Sequence, residues 1–400
     1  MKDPRPVTRV ELSDKNKTLR WIAIIALLVI GAVGLTAGIM GLLNQETGWQ
    51  EVRISTQERN CSENFLLQYN FSGSGAEATA VSQKLQAAYA EACVKAYRLF
   101  TPDEDFDGVQ NVYYVNHHPN EEITVDPVLY AAFEKLKDTP YLYLGPAYAH
   151  YYNVILNADE VLVKELDPAT SPEAMAYVKR IAEYASDRNA VKLELLGDNR
   201  VKLCVSEEYL EFAAAEEIEA FIDFAYMTNA FVIDYLAETL IDRNLTEGFL
   251  VSVDGYTRNL DSKHKFSLNI FDREGNTIYP AGVMEYTGPI SIVYLKDFPA
   301  SNSDVNYREN GNHMVHLFTD PADGLYKTAT ENLICYSYDA DCVDVLLKML
   351  PGFVGDSFRV PQGVFSVWCE KETICYNDER ICVGNLLQDE NVSYNALLKK

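Results

Sequence analysis

Asn229-Ala-Phe-Val232-Ile-Asp-Tyr-Leu236-Ala-Glu-Thr-Leu240-Ile-Asp-Arg243 and the nearby Phe249-Leu-Val-Ser-Val253-Asp254-Gly255 decide the fold class. Val232, Leu236 and Leu240 recur every four residues and predict a helix over 229–243. The run 249–253 predicts a strand, and Asp254-Gly255 a tight turn after it. Downstream, 265–271 and 290–295 read as strands, 341–350 as a last helix, and 369–375 with 381–383 as closing strands. Upstream, Val81, Leu85, Ala88 and Ala92 predict a helix that begins after Gly73-Ser74-Gly75 and runs to about 100. Asp126-Pro127 supplies an N-cap and a proline at the first helical position, with Leu129, Phe133 and Leu136 as the buried stripe. Ser171-Pro172-Glu173 opens a helix in the same way. The runs 191–196 and 201–205 flank Gly197-Asp198-Asn199-Arg200 and predict a hairpin. Helices and strands mix without strict βαβ alternation, which favours an α+β fold over a doubly wound sheet.

The 400-residue chain carries 34 Lys and Arg against 59 Asp and Glu, a formal charge of −25. Six of those bases lie in the first twenty residues, so the remainder is more acidic still. Such a body repels phosphate backbones, and nucleic acid is excluded as a partner. Residues 21–45 hold no charge. The apolar part, 21–43, would span about 35 Å as a helix, enough for a bilayer core of about 30 Å. Lys15, Lys17 and Arg20 precede it, so residues 1–20 are expected in the cytoplasm and the body outside the cell membrane. Gly31, Gly34, Gly38 and Gly41 share one face of that helix. They would allow self-association through close helix pairing, although glycine is also common in membrane helices. Residues 44–60 read as a linker, 61–365 as the outer domain, and 366–400 as C-terminal strands and a tail.

Eight cysteines are permissible as disulfides in an exported domain. Cys375 and Cys382 flank a stretch that reads as a hairpin and are expected close enough to bridge. Cys93 falls in a helical apolar pattern and reads as a small core hydrophobe. His313-x-x-His316 with Asp320 has weak metal-site spacing and is better read as a solvated polar loop. Asp103, Glu104, Asp105 and Asp107 lack EF-hand periodicity and read as a solvated loop. The tyrosines at 141, 143, 148, 151 and 152 suit either a ligand groove or core packing.

Five segments, in order, resemble the ApbE family, the FAD:protein FMN transferases. Val109-Gln-Asn-Val-Tyr-Tyr-Val-Asn116 resembles its S-E-I-S-x-x-N element. Ile222-Asp223-Phe-Ala-Tyr-Met-Thr-Asn229-Ala-Phe-Val-Ile-Asp234-Tyr-Leu-Ala-Glu238 is similar to I-D-L-G-G-I-A-K-G-Y-A-V-D-x-x-A-E. Phe249 to Gly255 is similar to F-L-V-S-x-G-G, and His316-Leu-Phe-Thr-Asp320-Pro-Ala-Asp-Gly324 to H-I-I-D-P-x-T-G. Asp341-Cys-Val-Asp344-Val-Leu-Leu-Lys348 falls at A-D-A-L-x-T. The resemblance covers about 65–365 and implies a single T-fold-like ApbE domain. It implies FAD in a cleft lined by Asp223, Asn229, Asp254, Gly255, Asp320 and Gly324, with Mg²⁺ on Asp344.

The departures fall on the positions that would handle phosphate and metal. Glycines become Ala225 and Tyr226, the motif lysine becomes Asn229, a strand-end glycine becomes Asp254, and a threonine becomes Lys348. The i,i+4 spacing predicts an Asp344–Lys348 pair in the metal's place. Two functions follow. The favoured one is a catalytically inactive binding or structural relative, holding neither FAD nor Mg²⁺ and serving an envelope protein partner. The alternative is an active Mg²⁺-dependent FAD:protein FMN transferase that flavinylates Thr or Ser of exported proteins.

Overall fold

The computed structural model describes residues 47–275, 277–299, 306–311, 313–370 and 373–385. The expected membrane segment and its glycines lie outside the described residues. No helix among the described residues is long and apolar enough to cross a membrane. By contacts the chain forms two units, residues 1–49 with 71–84, and residues 50–70 with 85–400. In the smaller unit the described residues include the first turns of helix α1 (Gly75–Phe100). Ser74 and Glu77 form a reciprocal cap there: Ser74 N and Oγ donate to Glu77 Oε2 at 2.8 and 2.9 Å, and Glu77 N donates to Ser74 Oγ. The expected linker 44–60 contains a strand, β1 (Gly48–Glu51).

The larger unit is built on an antiparallel sheet. Its strands are β2 (Phe65–Phe71), β6 (Gly248–Ser252), β7 (Tyr256–Asn259), β10 (Ile290–Lys296), β13 (Asn332–Ser337), β14 (Phe365–Glu370) and β15 (Thr373–Tyr376), side by side in that order. Alternation along β10 serves two cores. Ile290, Ile292 and Tyr294 join Ile334, Tyr336 and Val367 against a second sheet. That sheet comprises β8 (Lys265–Glu274), β9 (Thr277–Thr287) and β16 (Cys382–Asn385), in the order β16-β9-β8, and β11 (Arg308–Asn310) pairs with β12 (His313–Val315) in a separate ribbon. Val293, Leu295, Leu333 and Cys335, of opposite parity, are equally buried. Helices α8 (Thr228–Asp242) and α9 (Cys342–Phe353) pack on the sheet. Strands buried on both faces read as continuous apolar runs, so β13 carries no alternation to betray it.

Between β2 and β6 the chain adds a helical portion with a small sheet of order β3-β5-β4, from β3 (Glu122–Thr124), β4 (Val191–Gly197) and β5 (Arg200–Val205). Helix α2 (Val112–His117) precedes β3. Helix α3 (Pro127–Leu136) starts as expected, with Asp126 Oδ1 accepting from Val128 N at 2.9 Å. Helix α6 (Pro172–Ser186) starts on Ser171, which accepts from Ala174 N. Between them lie α4 (Gly145–Ala149) and α5 (Glu160–Leu166), and α7 (Glu207–Ala215) follows β5.

The expected strand 369–375 is instead divided between β14 and β15, which pair with each other so that Cys369 opposes Ile374. Cys375 is a free thiol on that hairpin, whereas Cys382 belongs to β16 and pairs through its backbone with Glu285 of β9. The expected Cys375–Cys382 hairpin is therefore corrected: the two cysteines sit in different sheets. Cys93 is fully buried, as a core hydrophobe should be.

Candidate functional site

A cavity of about 380 Å³ opens where the end of β6, the start of α8, the end of β10 and residues 316–318 meet. The segment entering α8 is clamped from behind by Asn116. Its Oδ1 accepts from Phe221 N and Ile222 N, each at 3.0 Å, and its Nδ2 donates to Ile222 O at 2.9 Å. Asp223 then turns the chain by accepting Ala225 N at 2.8 Å. Ala225 is held at φ +45°, a left-handed conformation that favours glycine. The backbone thus keeps a glycine-type geometry after the glycine is gone. Tyr226 follows, only 8% exposed, with its ring edge-on to Tyr148 and Phe318 at 5.9 and 5.1 Å. Its hydroxyl is buried close to that of Tyr148 but meets no partner in hydrogen-bond geometry among the described residues. The neighbouring Tyr148 hydroxyl gives its proton to Tyr141 O at 3.1 Å.

Asp254 closes the opposite wall. Its Oδ1 accepts from Ser252 Oγ at 2.5 Å and its Oδ2 from Asn229 Nδ2 at 3.0 Å. Asn229 is the second residue of α8, so the chain places its own carboxylate beside the first turn of that helix, where an anion is favoured. Gly255 continues the turn at φ +103°, and a Cβ there would lie 2.1 Å from Tyr294 O. Only glycine lets β7 start this close to β10.

The carboxyls in the cavity are shifted by depth. Burial pushes Asp223 up to about 7, against the pull of the Ala225 and Phe224 amides. Burial pushes Asp254 up to about 6, against its bonds to Ser252 and Asn229. Both side chains are open to the cavity, so solvent there moderates the effect. Asp103 also lines the cavity and is raised by burial. Lys296 is the one lysine or arginine among the described lining residues, with its ammonium 4.4 Å from the centre of the Tyr294 ring.

His316 lines the same cavity and is 4% exposed, so the expected solvated loop is corrected. Its ring lies against Phe318 and Tyr326, and Nδ1 accepts from Phe318 N at 3.3 Å. Burial, with a smaller contribution from Arg273, pushes its pKa down to about 3. Its ring signals should therefore not titrate between pH 8 and 5 in an NMR series. The unfolded chain binds this proton from about pH 6.5 and the folded chain does not. Stability should fall as pH drops from about 6.5 towards 3, by up to about 1.4 kcal/mol per pH unit. A titration midpoint above pH 6 would refute the buried neutral ring.

The remaining predicted residues lie elsewhere. Asp320 and Gly324 form a turn beside the cavity, closed by Gly324 N donating to Asp320 O at 2.7 Å. Gly324 has φ +75°, and a Cβ would meet Val178 O at 2.2 Å. Asp320 is paired at 2.9 Å with Lys327, which also holds Asp323 and Asp356. Asp344 lies in a separate depression with Asp341, Glu238 and Arg258. The expected Asp344–Lys348 pair is corrected: Lys348 Nζ points to Gly363 O at 3.4 Å. Asp344 instead accepts from Lys135 Nζ at 2.8 Å, and the same ammonium donates to Asp341 at 2.6 Å. With an ammonium bridging the two carboxylates, these residues do not fit a Mg²⁺ site, which needs several free oxygen ligands. No cluster of three or more His, Cys, Asp or Glu suited to a metal occurs among the described residues.

Tyr148, Tyr152, Tyr294, Lys296 and His316 in the cavity were not singled out as binding residues by the sequence motifs. The tyrosine-rich stretch was the available signal for the first two. In the structure Tyr141, Tyr143, Tyr148 and Tyr151 are buried, and Tyr148 and Tyr152 line the cavity.

The chain matches no protein-family profile and no curated protein sequence. Its structure is similar to that of solved ApbE proteins. The ApbE protein of Thermotoga maritima MSB8 matches at a TM-score of 0.53 and 12% identity, covering 84% of this chain and 96% of that one. The flavin transferase ApbE of Vibrio cholerae matches at a TM-score of 0.50 and 10% identity, covering 83% and 97%. The chain therefore has an α+β, ApbE-like fold at low sequence identity.

Proposed function

We propose that this chain is a membrane-anchored, outward-facing ApbE-like protein that keeps a ligand cavity and has lost flavin transfer. One observation carries the reading: Asp254 is bonded to Asn229 beside the first turn of α8. At those two positions the resemblance puts a glycine and a lysine, which would admit and neutralise a phosphate. The protein instead supplies an internal anion and its own donor. Ala225 and Tyr226 support the reading by filling the approach, and Lys135 supports it by taking up Asp344 and Asp341. The cavity itself favours a binding role over a purely structural one. It carries aromatic walls and a buried hydroxyl that meets no partner in hydrogen-bond geometry among the described residues, features of a ligand site. The anchor rests on the charge-free run 21–43 after a basic flank.

The test is to incubate the full chain in detergent with FAD, Mg²⁺ and a Thr-containing acceptor protein. Neither AMP nor a flavinylated acceptor should form. Mg²⁺-dependent AMP release that Asp344→Ala abolishes would restore the transferase reading.

A further inference from the structure

Cys61 ends the described lead-in to the turn Ser62–Asn64. Asn64 lines the cavity, and its carbonyl accepts from Val253 N at 3.0 Å, next to Asp254. Cys93 lies within α1, among residues of the same unit. The Cys61 amide and the Cys61 thiol both approach Cys93 O at 3.4 Å. An amide-to-carbonyl contact of this length brings the two Cα atoms to about the separation that a disulfide spans, roughly 4.4–6.8 Å. Both cysteines are buried and reduced. The neighbouring Cys61 thiol is the first cause of the upward shift at Cys93, and burial adds to it. Cys369 and Cys375, six residues apart, do not share this arrangement. Cys369 and Cys375 stand on paired strands but oppose Ile374 and Trp368, so their side chains leave the hairpin on opposite faces.

We propose that Cys61 and Cys93 form a disulfide that pins the Asn64 wall of the cavity to helix α1. The oxidant is a low-molecular-weight disulfide. Each thiol gives up one proton and one electron, the Sγ–Sγ bond forms, and the small disulfide is reduced to two thiols. The bond closes a loop across 32 residues and removes freedom chiefly from the unfolded chain. It involves no residue of the cavity chemistry, so it holds whether or not the ligand reading does.

The experiment treats the full chain in detergent with glutathione disulfide, in enough urea to open buried thiols without unfolding the chain. The protein is then alkylated under denaturing conditions and digested with trypsin without reduction. Cleavage after Arg59, Lys84 and Lys95 separates Cys61 from Cys93 unless they are bonded. The expected product is peptide 60–84 linked to peptide 85–95, lighter than their sum by two hydrogens. The oxidised protein should melt about 5 °C above the reduced one. Cys61→Ser and Cys93→Ser should each abolish the difference in melting temperature between oxidised and reduced protein, whatever the buried hydroxyl costs the reduced form. Separate alkylated peptides, separate glutathionylated peptides, or a melting gain that survives Cys61→Ser would overturn the proposal.

Discussion

Asp234→Ala should destabilise the larger unit by about 3–5 kcal/mol in urea unfolding, the largest single loss expected outside the apolar core. Asp234 projects from α8 into a crossing of three elements. Its Oδ1 accepts from Arg258 Nη1 of β7 and from Cys342 N at the start of α9, both at 3.0 Å. Its Oδ2 accepts from Val343 N at 2.9 Å. The Asp234 and Arg258 side chains are each 11% exposed. Burial raises the Asp234 carboxyl, while Arg258 and the two amides favour the carboxylate. Truncation would leave a buried guanidinium with Glu238 as its one remaining ion-pair partner among the described residues, and two helix-end amides without an acceptor. Glu238→Gln is the control. Glu238 is 59% exposed, and its bond to Arg258 should contribute under about 1 kcal/mol. Equal losses from the two variants, or a loss below about 1 kcal/mol for Asp234→Ala, would show that the buried pair does not brace the fold.

Asp234 also shows what the sequence can reveal. It falls at a family position in a helix whose apolar spacing is plain, and its neighbours Val232 and Leu236 are buried as their spacing requires. The capped helices at 126–127 and 171–172 were legible for the same reason, since a cap is written in two or three adjacent residues. Strand β13 was not legible, because burial on both faces erases period-two alternation. The run 369–375 reads as one strand because Cys369 and Cys375 bracket a stretch of strand-forming residues, whereas its two ends belong to the paired strands β14 and β15.

The site divides along the same line. Asp223, Asn229 and Asp254 come from local motifs and do converge on one cavity. Lys135 is separated from Asp341 and Asp344 by 206 and 209 positions, and a pair at that distance leaves no local pattern. The local rule favoured Lys348, but an exposed i,i+4 pair is worth only about 0.3–0.5 kcal/mol. Bridging two carboxylates with one half-buried ammonium outweighs it. The two histidines and Asp320 read as a solvated loop, but His316 sits between the apolar Val315 and Leu317, and the fold turns it onto Phe318 and Tyr326.

Acidification should strengthen the binding of anionic ligands to the cavity, and this is the second large effect expected. Asp254 and Asp223 have pKa values raised to about 6 and about 7. A raised carboxyl is neutral below its shifted pKa and charged above it, so between pH 8 and pH 5 both groups lose their charge. Each anionic repulsion removed is worth on the order of 1 kcal/mol at a site open to solvent. FAD, whose diphosphate stays ionised over this range, should therefore bind about 10–100-fold more tightly at pH 5 than at pH 8, starting from millimolar or weaker. Asp254→Asn keeps the shape of the wall and removes one charge. It should raise FAD affinity at pH 8 and flatten the profile near pH 6, leaving the step near pH 7 that belongs to Asp223. Adding Asp223→Asn should remove that step too. Fluorescence quenching of FAD at fixed ionic strength measures all three profiles, and circular dichroism at each pH confirms the fold. An affinity that falls on acidification, or one that neither substitution alters, would show that these carboxyls do not guard the cavity against phosphate.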